Sequence, residues 1–198
     1  MNDLTAEPLR ALEHAEQCAR RAIALDERQA IGHMTLGNVL VWQRKHDEAL
    51  AALRRSLELD ANFAQGHALM GMALMYAGRP AESLQPFAAA MRLDPVHPNI
   101  VLHLVAQAHF SLEQYDMAVR YCTERIVRNP NTDASRMLLA ASLGHLGRAD
   151  EARAAWQGLL GVNPTFALSQ RKRVLPYKNE ADFKRIADGL QKAGITPS

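Results

Sequence analysis

The stretch Met70–Pro95, MGMALMYAGRPAESLQPFAAAMRLDP, holds one cycle of a pattern that recurs along the chain. It opens on a large residue followed by the smallest one, Met70-Gly71, and its apolar run breaks at Ala77-Gly78-Arg79-Pro80-Ala81-Glu82. A second apolar run carries Ser83 and Phe87, and Leu93-Asp94-Pro95 stops it. Glycine and proline are strong breakers of local structure, and the residue before a proline is biased away from helical geometry. The cycle therefore predicts two short amphipathic helices joined by a tight turn.

Outward from this stretch, the same columns return. Leu36-Gly37, Met70-Gly71, Val105-Ala106 and Leu139-Ala140 fall in register at separations of 34, 35 and 34 residues. Ala49, Ser83, Ala118 and Ala152 align next, then Leu53, Phe87, Cys122 and Trp156, then Ala61, Pro95, Pro130 and Pro164. The small residues let two helices of a pair approach closely. Leu53, Phe87 and Trp156, with Cys122 as a thinner member, are expected to fill the space between one pair and the next. A second turn, Leu146-Gly147-Arg148-Ala149-Asp150-Glu151, matches the first. The extra residue of the longer separation is placed in Asp94-Pro95-Val96-His97-Pro98-Asn99.

This 34-residue period and its column pattern resemble the tetratricopeptide repeat family. The resemblance implies an all-α, right-handed α-α superhelix. Four units are expected, at 30–63, 64–98, 99–132 and 133–166. Residues 1–29 match only the second helix of a unit, through Ala15, Ala19 and Ala22, and Thr5 before Glu7-Pro8 reads as its capped start. Either the polar residues of 1–28 cap the array or an N-terminal portion precedes them, and the second is the expectation, since a repeat buries its apolar face only against a neighbour. Residues 167–198 do not repeat. They form a basic segment in which Phe183, Ile186, Ala187 and Leu190 make one helical stripe, read as a C-terminal capping helix.

Composition agrees with a helical, core-bearing chain. The sequence of 198 residues is 48% hydrophobic, enough for a continuous core, and Ala and Leu outnumber the β-branched residues, which favours helix. The formal charge of +2 is uneven: 167–198 holds seven Lys or Arg against three acids, so the tail carries +4 and the remainder −2. A basic tail suits an acidic partner, while nucleic-acid binding is disfavoured. Cys18 and Cys122 lack ligand spacing and read as small buried residues of a reducing, cytoplasmic compartment. No run reaches the roughly twenty apolar residues of a membrane span.

Catalytic motifs are absent from the sequence: it contains no GxSxG, no HExxH and no glycine-rich phosphate loop. The chain is read as a non-enzyme that needs no metal and no cofactor. His33 and His67 share a column and could stack, and His103 and His109 lie on one helix, but neither pair has metal-ligand spacing.

In tetratricopeptide folds the first helix of each unit lines a ligand groove. The resemblance places Met34, Asn38 and Trp42 there, then Met72, Met75 and Tyr76, then His103, Gln107 and Phe110, then Met137 and His145. This face is apolar and rich in methionine, which adapts to varied apolar partners. It is either an exposed interaction surface or a face that the twist of the array or the tail buries. The Lys-and-Asn pair with which some family members clamp the acidic tails of chaperones has no counterpart: Asn38 follows Met34, Met72 follows Ala68 and Gln107 follows His103. A protein or peptide partner of unknown identity is expected, with a second copy of the chain as an alternative.

A further resemblance rests on Ala22-Ile23-Ala24-Leu25-Asp26, Leu36-Gly37-Asn38-Val39-Leu40-Val41-Trp42, Ala77-Gly78-Arg79-Pro80, Leu175-Pro176-Tyr177-Lys178 and Lys192-Ala193-Gly194. Together these are similar to the C-terminal repeat region of certain bacterial class III adenylate/guanylate cyclases and related regulators. No catalytic residue of a cyclase is matched, so that resemblance implies context rather than activity.

Overall fold

The computed structural model describes residues 6–196, with side chains from residue 10 onward. Among these residues there are eleven helices and no strand. They fall into two compact units, Met1–Pro95 and Val96–Ser198, divided inside the segment that carries the extra residue. The helix expected to start at Thr5 begins outside the described residues.

The first unit holds α1 (Ala6–Leu25), α2 (Ala30–Trp42), α3 (His46–Leu59), α4 (Ala64–Tyr76) and α5 (Pro80–Leu93). Helices α2 and α3 form one antiparallel pair and α4 and α5 the next; α1 packs on α2, and α3 and α2 both meet α4. The glycine column explains the closeness of each pair. A β-carbon on Gly37 would lie 2.5 Å from Leu53 Cγ, and one on Gly71 would lie 2.6 Å from Phe87 Cε1. Leu53 and Phe87, assigned on sequence to the junction between pairs, thus close their own pairs as well. Both are fully buried, a contribution of about 1.5–3 kcal/mol each.

The second unit holds α6 (Asn99–Ser111), α7 (Tyr115–Arg128), α8 (Asp133–His145), α9 (Ala149–Val162), α10 (Leu168–Val174) and α11 (Glu180–Lys192). Helices α6 and α7 pair, as do α8 and α9, and α8 also receives α11. The basic tail is thus two helices: the short α10 precedes the stripe-bearing α11. In that stripe Phe183, Ile186 and Leu190 are buried.

The turns within pairs share one backbone device. Arg44, Gly78, Glu113 and Gly147 occupy one register position, and all four adopt positive φ, between 60° and 79°. Glycine reaches this region without strain and other residues do so at a cost. At Arg79 and Arg148 the guanidinium grips the carboxylate three residues on, Glu82 and Glu151, at the start of the second helix.

Between pairs the stops differ. Before Pro95, Pro130 and Pro164 the helices end at Leu93, Arg128 and Val162, two residues short of each proline. The same register position also turns the chain by its side chain: Asp26 Oδ1 accepts from the Arg28 amide at 3.0 Å and Asp60 Oδ1 from the Asn62 amide at 2.9 Å, where proline is missing, and Asn129 Oδ1 from the Asn131 amide at 3.3 Å beside Pro130. The histidines of the shared column do not stack. His33 Nε2 donates to Glu27 O at 3.0 Å and His67 Nε2 to Ala61 O at 2.9 Å, and Arg136 in the same column reaches Pro130 O at 3.1 Å. These side chains tie each helix to the loop before it.

One cysteine expectation fails. Cys122 is buried, and burial raises its thiol pKa far above the ordinary value, but Cys18 is exposed. Helix α1 packs on α2, and its side chains away from that contact face outward. Ala22 is exposed, whereas its register equivalents Ser56, Ala90, Arg125 and Leu159 are all buried. Among the described residues no helix is long and apolar enough to cross a membrane.

Candidate functional site

The face expected to bind a partner is set by four register positions on the first helix of each pair. In the first unit Met34, Met72, Met75 and Tyr76 are buried, while Asn38 and Trp42 are half-buried. The rings of Trp42 and Tyr76 meet across α2 and α4, with centroids 6.3 Å apart and planes tilted by 53°. Aromatic pairs favour such tilted contacts.

In the second unit the same positions are engaged by the chain's own tail. Gln107 Nε2 donates to the Tyr177 hydroxyl. His145 Nε2 lies 2.9 Å from Arg185 O, and its Nδ1 lies 3.2 Å from Lys192 Nζ. The carbonyl is only an acceptor and the ammonium only a donor, so Nε2 donates to the Arg185 carbonyl and Nδ1 accepts from Lys192. Arg185 in turn donates to Ser111 O at 3.3 Å and pairs with Glu113 at 3.4 Å. The helices cross where Gly144 meets Gly189: a β-carbon on Gly144 would collide with the Gly189 carbonyl, and one on Gly189 with the Ala141 carbonyl. Arg153 on α9 completes the seat by donating to Ala193 O at 3.0 Å.

Two clusters support that seat. Phe110, Tyr115 and His145 form an aromatic group in which the Tyr115 and His145 rings stack at 4.4 Å. His103 is buried with Nδ1 3.1 Å from Ser135 Oγ, and Arg125 Nη1 donates to that oxygen at 2.7 Å. The Ser135 oxygen, occupied by Arg125, has its proton free for His103 Nδ1, which suits a neutral imidazole. Burial, reinforced by the charges of Arg125 and Arg171, lowers the His103 pKa to about 3. The ring is thus a structural hydrogen-bond acceptor. Met137 is also buried.

Sequence reasoning placed Gln107 and His145 on this face but missed Gly144, Glu113 and Tyr177 as parts of it. A signal was present. The register position occupied by Val41, Met75 and Phe110 becomes glycine at 144, and glycine inside a helix marks a close approach of another backbone.

The fold is that of tetratricopeptide repeat proteins, which the repeat in the sequence resembles. The family model described as anaphase-promoting complex, cyclosome, subunit 3 matches residues 87–159, from inside α5 to inside α9. A solved structure of YrrB, described as a tetratricopeptide repeat protein with an unusual peptide-binding site, superposes with a TM-score of 0.64 at 21% identity, over 90% of this chain and 92% of that one. PilW, described as a widely conserved type IV pilus biogenesis factor, gives a TM-score of 0.75 at 17% identity over 96% of this chain and 86% of that one. MamA gives 0.67 at 15% identity, over 83% and 96%. Among curated proteins, "Putative adenylate cyclase 3" of Rhizobium meliloti (strain 1021) is 40% identical over 45 residues, which is 23% of this chain and 8% of that protein.

Proposed function

We propose that the chain is a protein-interaction scaffold and that the face of α2 and α4, where Asn38 and Trp42 are the accessible side chains above the buried Met34, Met72, Met75 and Tyr76, takes a helix or an extended peptide. One observation carries this reading: in the second unit the equivalent face already holds an amphipathic helix, α11, seated on α8. A surface that accepts a helix in cis has the chemistry to accept one in trans, through an apolar stripe and donors aimed at main-chain carbonyls. Asn38 and Trp42, both half-buried, offer the first unit the same combination of a polar group and a large ring.

The test is a selection from a random 12-residue peptide library on the full chain, read out by fluorescence anisotropy. Binders are expected to lose at least about tenfold in affinity when Trp42→Ala is combined with Asn38→Arg, since a central aromatic anchor contributes roughly 2 kcal/mol or more. Peptides that bind the double variant as well as the parent would remove the α2/α4 face from consideration. Light scattering on the same samples checks the alternative occupant, a second copy.

A second reading has the identity to the cyclase of Rhizobium meliloti in its favour. On it, the chain is the repeat region of a nucleotide cyclase or a related regulator, and its scaffold role serves a catalytic or DNA-binding domain encoded upstream. An upstream reading frame without such a domain would eliminate it.

A further inference from the structure

The tail presents a surface that its seat on α8 leaves free. Between α10 and α11 lies a cleft of about 620 Å³. Its lining is mainly apolar, with Leu168 and Phe183 deep, Ala187 beside them and Ala181 at the exposed edge; Lys172, Lys184, Glu180 and Ser169 supply the polar groups, two cations against one carboxylate. Volumes of this size are typical of ligand sites lined by apolar groups with a few placed polar ones. The cations are available. Lys172 approaches Glu180 only at 3.9 Å, and Lys184 and the neighbouring Lys178 have no carboxylate partner among the described residues. Arg171 and Arg185 are already committed to Asp133 and to Glu113 and Asp182, so the charge left for a partner gathers at the cleft.

We infer that this cleft binds an acidic amphipathic peptide, which inserts apolar side chains between α10 and α11 and sets its carboxylates against Lys172 and Lys184. The cleft decides the class of partner. A nucleic acid would satisfy the lysines but has nothing aliphatic for the apolar lining, and Phe183, the one aromatic among the lining residues, is 5% exposed, too little for a base to stack on. A purely charged peptide would use the lysines and leave the apolar surface wet. Apolar lining and lysines together select a chain that alternates both characters. The site lies outside the α2/α4 face and stands whether or not that face binds a ligand.

The experiment titrates the full chain into a fluorescein-labelled 15-residue peptide of Glu, Asp, Leu and Phe at about 0.15 M salt, followed by anisotropy. Two control peptides replace either Leu and Phe by Ser or the acids by Lys. Saturable binding of the parent peptide alone is the expected result. Lys172→Glu with Lys184→Glu should weaken it by about tenfold or more, as two attractive surface pairs become repulsive. Ala181→Trp, which fills the cleft from an exposed position, should weaken it similarly with the helical circular dichroism unchanged, and Trp42→Ala should leave it intact. The inference is overturned if the Ser control binds as tightly, if a 15-nucleotide single strand or phosphatidylserine vesicles compete more strongly than the peptide, or if both cleft variants bind like the parent. Absence of any peptide binding overturns it as well.

Discussion

At the register positions of Asn38 and Trp42 the first unit carries Asn38, Trp42, Met72 and Tyr76, whereas the second carries Gln107, Ser111, Ala141 and His145. One set is dominated by large, adaptable or aromatic surfaces; the other is smaller and more polar, and its groups meet a helix of the same chain. Small residues at Ala141 and Gly144 let the α11 backbone come close, His145 bonds to it there, and Gln107 bonds to Tyr177 in the segment before α11. The same scaffold position thus serves two ends, according to whether the side chain fills the face or clears it.

The sharpest way to break this difference is to give the second unit a first-unit residue. Gly144→Met installs what Met75 is in the first unit, and its β-carbon meets the Gly189 carbonyl, a backbone group that cannot rotate away. The seat of α11 should be lost, at a cost of about 3 kcal/mol or more. Hydrogen exchange of 180–192 would show it, with α6–α9 still protected. Unchanged protection of α11 would mean that the crossing is not what holds the tail.

A smaller loss is expected from the first unit's own close contact. Gly37→Ala places a β-carbon 2.5 Å from Leu53 Cγ and 3.2 Å from Ala49 O, so α2 and α3 must separate, at about 1–3 kcal/mol. Leu53 is a side chain and can be shortened: Leu53→Val in the Gly37→Ala background should recover part of the loss, measured by urea unfolding. No recovery would show that the carbonyl of Ala49, not Leu53, sets the spacing.

Acid separates the units by different groups. In the second, His103 has its folded pKa lowered to about 3 from 6.5, so the unfolded chain takes up a proton first and stability declines as pH falls from about 6.5 toward 3. In the first, hydrogen bonds from Arg20, Gln43 and Lys45 lower the Glu16 pKa to about 2 from 4.5, so the contribution of Glu16 to the docking of α1 is full above about 4.5 and declines as pH falls toward 2. The second unit should therefore weaken already at pH 5, while α1 stays docked. His103→Leu should flatten the second unit's decline between pH 6.5 and 5, and Glu16→Gln should remove only the later step. Hydrogen exchange resolves the two regions.

Much of this was legible in the sequence, for a physical reason. The 34-residue recurrence of Leu36-Gly37, Met70-Gly71, Val105-Ala106 and Leu139-Ala140 records a packing requirement that repeats, and repetition makes a weak local signal visible. The two prolines at 95 and 130 and the one at 164 marked helix ends in the same way. What repetition cannot report is an event that happens once. The fold-back of Tyr177 and α11 onto Gln107 and His145 has no second copy in the chain, so its trace was only glycine at 144 where other units hold a large residue. Cys18 was misplaced for a different reason: it was read as buried from the lack of ligand spacing, which says nothing of the face of α1 on which it lies. Whether the α2/α4 face binds a ligand is a property of a partner and is not encoded in spacing at all.

The smallest effect concerns a feature that both units share. Arg44 and Glu113 hold φ near 60° at the turn position where Gly78 and Gly147 stand, and a β-carbon in that region costs roughly 1–2 kcal/mol. Glycine removes the cost but loses more entropy on folding, roughly 0.5–1 kcal/mol, and gives up the interaction of the Arg44 side chain, so Arg44→Gly should stabilise the first unit by at most about 0.5–1 kcal/mol in urea unfolding. Glu113→Gly relieves the same backbone but also gives up the contact with Arg185, which offsets part of the gain. The reverse change is the control that isolates the backbone. A β-carbon on Gly147 meets nothing within 4 Å, so any loss in Gly147→Ala comes from the left-handed turn alone. If Gly147→Ala is neutral while Arg44→Gly stabilises, the gain at Arg44 belongs to its side chain and not to the turn; if both respond in opposite directions by similar amounts, the turn is a fixed backbone requirement that two of the four turns meet at the expense of stability.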